Sequence, residues 1–136
     1  MTTKKIVHVS GKRRKAIARA TIMQGKGQVR VNKKLLQLYY PRLARMRIME
    51  PLLIAGDIAN KIKIDVDVIG GGWSGQAEAA RLAIARGLVQ FTGNKELEKS
   101  FLNYDRHLLV ADIRQRESRK PNTHQKARSK VQKSYR

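Results

Sequence analysis

The chain has 136 residues, with 30 Lys and Arg against 10 Asp and Glu, a formal charge of +20 and no cysteine. Its length bounds it to one domain with tails, and the missing cysteine excludes disulfides, thiolate metal sites and cysteine nucleophiles. No apolar run approaches the ~20 residues of a membrane span, so a soluble cytoplasmic protein is expected, and the excess charge makes a polyanion its natural partner.

Residues 6–10 read as a strand with Val7 and Val9 on one face. Gly11 and the cations Lys12, Arg13, Arg14 and Lys15 follow as a turn and a basic cluster. Residues 15–23 alternate, with Ala16, Ala18, Ala20 and Ile22 forming a small-residue face on which a helix can pack closely. Gly25 and Gly27 predict a hairpin turn into a return strand at residues 28–31, with Val29 and Val31 inward. Residues 35–40 read as a short helix or irregular turn. Pro41 then suits the start of a helix over residues 42–49, with Leu43, Met46 and Met49 as its apolar stripe and Arg42 and Arg45 on another face. Pro51 breaks or kinks that helix, or residues 52–55 continue it for one more turn until Gly56 stops it.

Residues 61–69 make the clearest strand, with Ile62, Ile64, Val66 and Val68 inward. It runs into the segment that organises the chain, Gly70-Gly71-Gly72-Trp73-Ser74-Gly75-Gln76, and then into a helix. Ser74 is the expected N-cap. The helix carries apolar residues on two sides: Ala77, Ala80, Ile84, Leu88 and Phe91 on one stripe, Leu82 and Val89 on another. A helix of that kind is buried on more than one side, so it should lie on the sheet under a further cover. Gly93 closes it. A second amphipathic helix spans residues 95–103 with Leu97 and Phe101 buried, and residues 108–111 read as a last strand. Strands and helices in this order predict an α+β fold: a mixed β-sheet with helices packed on it.

Two segments carry functional signals. The glycine turn has two readings: helix N-terminal N–H groups that accept an RNA or nucleotide phosphate, or a tight strand-to-helix turn that binds nothing. Its spacing matches neither Gly-x-x-x-x-Gly-Lys-Ser/Thr nor Gly-x-Gly-x-x-Gly, which favours the plain turn. Gly71, Gly72, Ser74, Gly75 and Gln76 are the candidate phosphate contacts. The second signal is the distribution of charge. Residues 1–49 hold 14 basic and no acidic side chains, residues 50–113 hold 7 and 9, and residues 114–136 hold 9 and 1. The final segment has too few apolar residues to offset ordering entropy, so alone in water it should be disordered. Extended, it reaches roughly 75 Å. Domains are therefore expected at residues 1–113, globular, and 114–136, a basic arm.

Arg forks bind phosphate bidentately and Lys acts as a point charge. The candidate RNA contacts are Lys12, Arg13, Arg14, Lys15, Arg19, Arg42 and Arg45, with Arg119, Lys120, Lys126, Arg128, Lys130 and Lys133 from the arm. His8, His107 and His124 are scattered, Asp65 and Asp67 read as a solvated rim, and no pair of carboxylates stands out as acid and base. Neither catalysis nor a cofactor or metal is expected.

The segment from Gly70-Gly71-Gly72-Trp73-Ser74-Gly75-Gln76-Ala77 to Arg81, with Ile84-Ala85-Arg86-Gly87-Leu88, resembles the signature of the small-subunit ribosomal protein nine family. The run Gly11 to Ala20, the pair Gly25-Lys26-Gly27 and Val31-Asn32, and the ending Gln132-Lys133-Ser134-Tyr135-Arg136 match it in the same order. The Lys-Ser-Tyr-Arg ending resembles the archaeal and eukaryotic branch; bacterial members commonly end in Ser-Lys-Arg, so Tyr135 stands in place of a cation. The resemblance implies the fold of the second domain of small-subunit ribosomal protein five. It implies a structural role in translation, with ribosomal RNA of the small-subunit head and neighbouring head proteins as partners. It further implies that the arm reaches peptidyl-site tRNA, where Tyr135 and Arg136 meet the anticodon stem-loop and Arg128 and Lys133 line the path. Two other classes share features with this chain. Small-molecule kinases of the galactokinase type resemble this fold and hold ATP phosphates with a glycine-serine loop, and the protein subunit of an RNA-processing ribonuclease is also basic and of related fold.

Overall fold

The computed structural model describes residues 5–121 and 127–128. Its five strands are β1 (Ile6–Arg13), β2 (Ala16–Gln24), β3 (Val29–Val31), β4 (Lys34–Leu35) and β5 (Ile62–Ile69). Three α-helices accompany them: α1 (Arg42–Ala55), α2 (Trp73–Thr92) and α3 (Lys95–Tyr104). The strands form one mixed sheet in the order β1-β2-β5-β3-β4. β1, β2 and β5 pair antiparallel, while β3 runs parallel to β5. The fold is therefore α+β, as the element order predicts. No helix among the described residues is long and apolar enough to cross a membrane.

The alternating strands bury the faces expected of them. Ala16, Ala18, Ala20 and Ile22 of β2 are buried beside Ile62, Ile64, Val66 and Val68 of β5. Helix α2 lies on that inner face and is covered in turn by α1 and α3. Both buried stripes of α2 follow from this position, with Ala80, Ile84 and Leu88 buried alongside Leu82. Gly93 closes α2 in the left-handed region at φ 66°, donating its N–H to the Val89 carbonyl. Asn94 then caps α3, whose Leu97 and Phe101 are buried.

The structure corrects four sequence expectations. Gly11 does not open a turn: β1 runs through it to Arg13, and the turn falls at Arg14, whose φ is 53°. The physical reason is the helix above, because a Cβ on Gly11 would lie 2.8 Å from the Ala83 nitrogen. Gly25 and Gly27 do not make a hairpin. β5 inserts between β2 and β3, and the loop passes over the start of β5 with Gly25 N–H donating to Lys61 O and Gly27 N–H to Ile62 O. The last strand is absent among the described residues. A 3-10 turn (Arg106–Leu108) stands before it, and the Leu109 carbonyl is taken by the Arg86 side chain at 2.9 Å. Finally, α1, which runs on to Ala55 and stops at Gly56 as one reading expects, buries Ala44, Ile48, Pro51 and Ala55, and the expected stripe residues Leu43 and Met46 are exposed.

The contact at Gly11 gives a direct test. Replacing Gly11 with Ala pushes a methyl into helix backbone that cannot yield and should destabilise by about 1–3 kcal/mol. The same change at Gly75, where a Cβ meets Ala16 Cβ and Arg13 O at an ordinary 3.7 Å, should be neutral or stabilising through helix propensity. Urea unfolding of both variants checks the pair, and equal losses would contradict the packing described.

Candidate nucleic-acid interface

The glycine turn and the basic β1–β2 turn meet at one end of the sheet. A Cβ on Gly70 would lie 2.5 Å from the Lys15 carbonyl oxygen, and one on Gly71 would lie 3.1 Å from the Ala16 nitrogen. Both glycines have positive φ, 74° and 68°, so the turn needs glycine for its conformation and for its close approach. Arg14 and Lys15 are exposed beside it.

Helix α2 starts from this turn. Its N-cap is Gly72, in extended conformation and with no side-chain cap. Ser74 therefore does not cap; it is already the second helical residue. The first helical hydrogen bond runs from Gln76 N–H to Gly72 O at 2.9 Å. That leaves the N–H groups of Trp73, Ser74 and Gly75 as the unpaired start of a 20-residue helix. The helix dipole adds partial positive charge there, and the first turn holds no acidic residue to oppose an anion. Gln76 closes the turn, donating from Nε2 to the Gly70 carbonyl at 3.1 Å, so its amide is engaged in holding the loop. Open space lies beside Gly72. Trp73, the chain's single tryptophan, is 51% exposed at the helix start. It is a flat apolar surface and suits stacking on a base or sugar. Its place in the glycine segment was visible in the sequence, but nothing there told exposure from burial.

The other candidates divide. Lys12, Arg19 and Arg42 are exposed. Arg45 donates to the Gln37 carbonyl at 2.6 Å. Arg13 turns inward: Nε donates to Glu78 at 2.7 Å and Nη2 lies 3.4 Å from Asp112. Arg47 pairs with the other Glu78 oxygen at 2.5 Å. Arg81 holds Glu50 at 2.6 Å and Asp105 at 2.9 Å. Four acids of the middle segment thus neutralise arginines drawn from both basic segments and from α2. In the arm, Arg119 and Lys120 are exposed, and Arg128 pairs with Glu117 at 2.9 Å. Lys126, Lys130, Lys133, Tyr135 and Arg136 lie outside the described residues.

The root of the arm is fixed by Asp112. It accepts from the Arg114 backbone N–H at 3.0 Å and from Arg114 Nη2 at 2.7 Å, and it faces Arg13. The Arg114 side-chain hydrogen bonds hold the Asp112 carboxyl well below the usual carboxylate range, and the same contact raises Arg114. At Asp105, burial pushes upward, but the His107 N–H and Arg81 outweigh it and the carboxyl is lowered. For a depressed carboxylate the stabilisation is complete above the unfolded value of ~3.9 and is lost as pH falls through the folded one. An NMR titration of the Asp112 side-chain carboxyl should therefore show a midpoint well below ordinary aspartate. An ordinary midpoint would mean the clasp does not hold in solution.

Comparison with known proteins bears on this surface. The family described as Ribosomal protein S9/S16 matches residues 11–136. Proteins named small ribosomal subunit protein uS9, from Methanococcus vannielii and from Methanococcus maripaludis strain C7, are each 50% identical over 133 residues, covering 97% of this chain and 99% of the relative.

Proposed function

This chain belongs to the ribosomal protein S9/S16 family and is a structural constituent of the small ribosomal subunit, and from that premise we propose that it binds ribosomal RNA in the subunit head and reaches peptidyl-site tRNA with its C-terminal arm. Residues 1–113 act as the anchoring domain and residues 114–136 as the arm. The observation that carries the RNA reading is the close approach of the β1–β2 turn, which holds Arg14 and Lys15, to the open N-terminus of α2 across Gly70 and Gly71, which admit no side chain. Backbone N–H groups, a helix dipole and two cations converge there on one place for a phosphate. Lys12 and Arg19 extend the cationic surface, and Trp73 supplies an apolar wall. Such contacts position folded RNA without reading its sequence.

For the arm, the support is composition and exposure. Residues 111–120 carry no helix or strand, and Arg114, Arg116, Arg119 and Lys120 are exposed. Arg119, Lys120, Lys126, Arg128, Lys130 and Lys133 line the path through RNA. Tyr135 and Arg136 meet the anticodon stem-loop.

Two outcomes test this. Affinity for a transcript of the small-subunit head RNA should fall with salt by a slope of about −0.7 to −0.9 per phosphate contacted. Arg14→Gln and Lys15→Gln should each reduce that slope by about 1; an unchanged slope in both variants would remove the turn from the interface. Deleting residues 134–136 should leave the chain co-sedimenting with the small subunit but weaken tRNA binding in its peptidyl site. Undiminished tRNA binding would overturn the role of the arm's end.

A further inference from the structure

Helix α1 carries two lines of side chains with the same spacing. Ala44, Ile48, Pro51 and Ala55 are buried against the domain. On the opposite side run Arg42, Met46, Met49 and Leu53, separated by four, three and four residues. Met46 is 52% exposed and Leu53 72%. Beside this line opens a groove of about 610 Å³, lined by Leu35, Leu36, Met49, Leu52, Leu53 and Asp57 among others. Leu38 and Leu43, 75% and 65% exposed, enlarge the apolar surface. Exposed apolar side chains along one helix face, next to a groove and on a chain of +20 charge, suit a protein contact.

We propose that this face of α1 docks an amphipathic helix of another small-subunit protein, with an acidic residue of that helix opposite Arg42. The four-three-four spacing is the heptad seam by which one helix receives another. Arg42 makes no ion pair among the described residues, and Arg45 bonds only the Gln37 carbonyl at the groove's edge. Two cations at one end of an apolar seam, with Asp57 at the other, select a partner with acid at the matching end. A second copy fits poorly, because two chains of this charge repel. The chain's own arm fits no better, since residues 129–136 bring three cations and one aliphatic residue, Val131, to a surface already cationic. RNA would satisfy Arg42 but leave Met46 and Leu53 against phosphate and sugar. The proposal rests on the subunit assignment and is independent of the glycine turn.

The test places the photo-crosslinking residue benzoylphenylalanine at Met46 or Leu53 of the full chain, in cells whose small subunits incorporate it. Only subunits sedimenting with the chain are irradiated, so failure to assemble is seen separately from failure to crosslink. Both positions are exposed, and the substitutions should leave the fold intact. The expected product joins the chain to a helical peptide of a small-subunit protein, with Asp or Glu within one turn of the linked residue. Arg42→Glu should lower its yield about tenfold. Crosslinks to ribosomal RNA, to the chain's own arm or to a second copy would overturn the proposal. So would the absence of any protein crosslink from both positions in assembled subunits.

Discussion

Everything in this domain depends on how closely α2 approaches the sheet. Small residues on both surfaces permit it. Gly11 and Ala18 offer no bulk on the sheet side, and Ala79 and Ala83 answer from the helix. Farther along, Gly87 sits over Ile22 and Val9, with the Val9 methyl 2.8 Å from where a Cβ would be. Interiors are packed as densely as organic crystals, so a single added methyl is felt there. This closeness brings the start of α2 down onto the β1–β2 turn. Two of the three glycines that lead into the helix are then required by geometry, since Gly70 and Gly71 press on Lys15 and Ala16. The glycine turn is thus a consequence of packing and not an appended loop.

A second consequence concerns charge. A chain so basic repels itself, yet its fold brings arginines of β1, α1 and α2 close together. Glu78 bridges Arg13 of β1 and Arg47 of α1, while Arg81 of α2 joins Glu50 and Asp105. These pairs tie α1, α2, β1 and the segment after α3 into one body. They also remove acids from the surface that would otherwise oppose a phosphate. Among the described residues, Arg14 and Lys15 are left outward at the β1–β2 turn with no acid paired to them. Asp112 ends the network and sets where the arm leaves the domain.

Much of this was legible in the sequence where periodicity was strict. The alternation of β2 and β5, the doubly buried α2 and the capping by Gly93 all follow from local pattern. What was not legible was long-range. Strand order depends on β5 entering between β2 and β3, and nothing in the residues around Gly25 and Gly27 encodes that insertion. Pro51 leaves a break, a kink and a continued turn all open in the sequence; at a buried position in α1 it packs inward and the helix passes through it to Ala55. Leu43, Met46 and Met49 read as the apolar stripe of α1, but the face it buries is that of the smaller Ala44 and Ala55 with Ile48 and Pro51, because α2 lies close. In the interface, the basic cluster and the glycine turn were each visible. That they form one site was not, because their meeting depends on the packing of α2. Arg13 shows the converse: a member of the cluster by sequence, it is an internal brace by structure.

The central claim is that the start of α2 touches ribosomal RNA. The chain lacks cysteine, so a single one introduced at Ser74 can carry tethered iron-EDTA without competing sites. In assembled small subunits, hydroxyl radicals from that position should cut head RNA at a confined set of nucleotides, as expected for a backbone lying against the helix start. If the probe at Ser74 leaves the RNA uncut while one on the arm at Ser118 cuts it, the glycine turn is a structural turn only, and the arm alone carries the RNA contact.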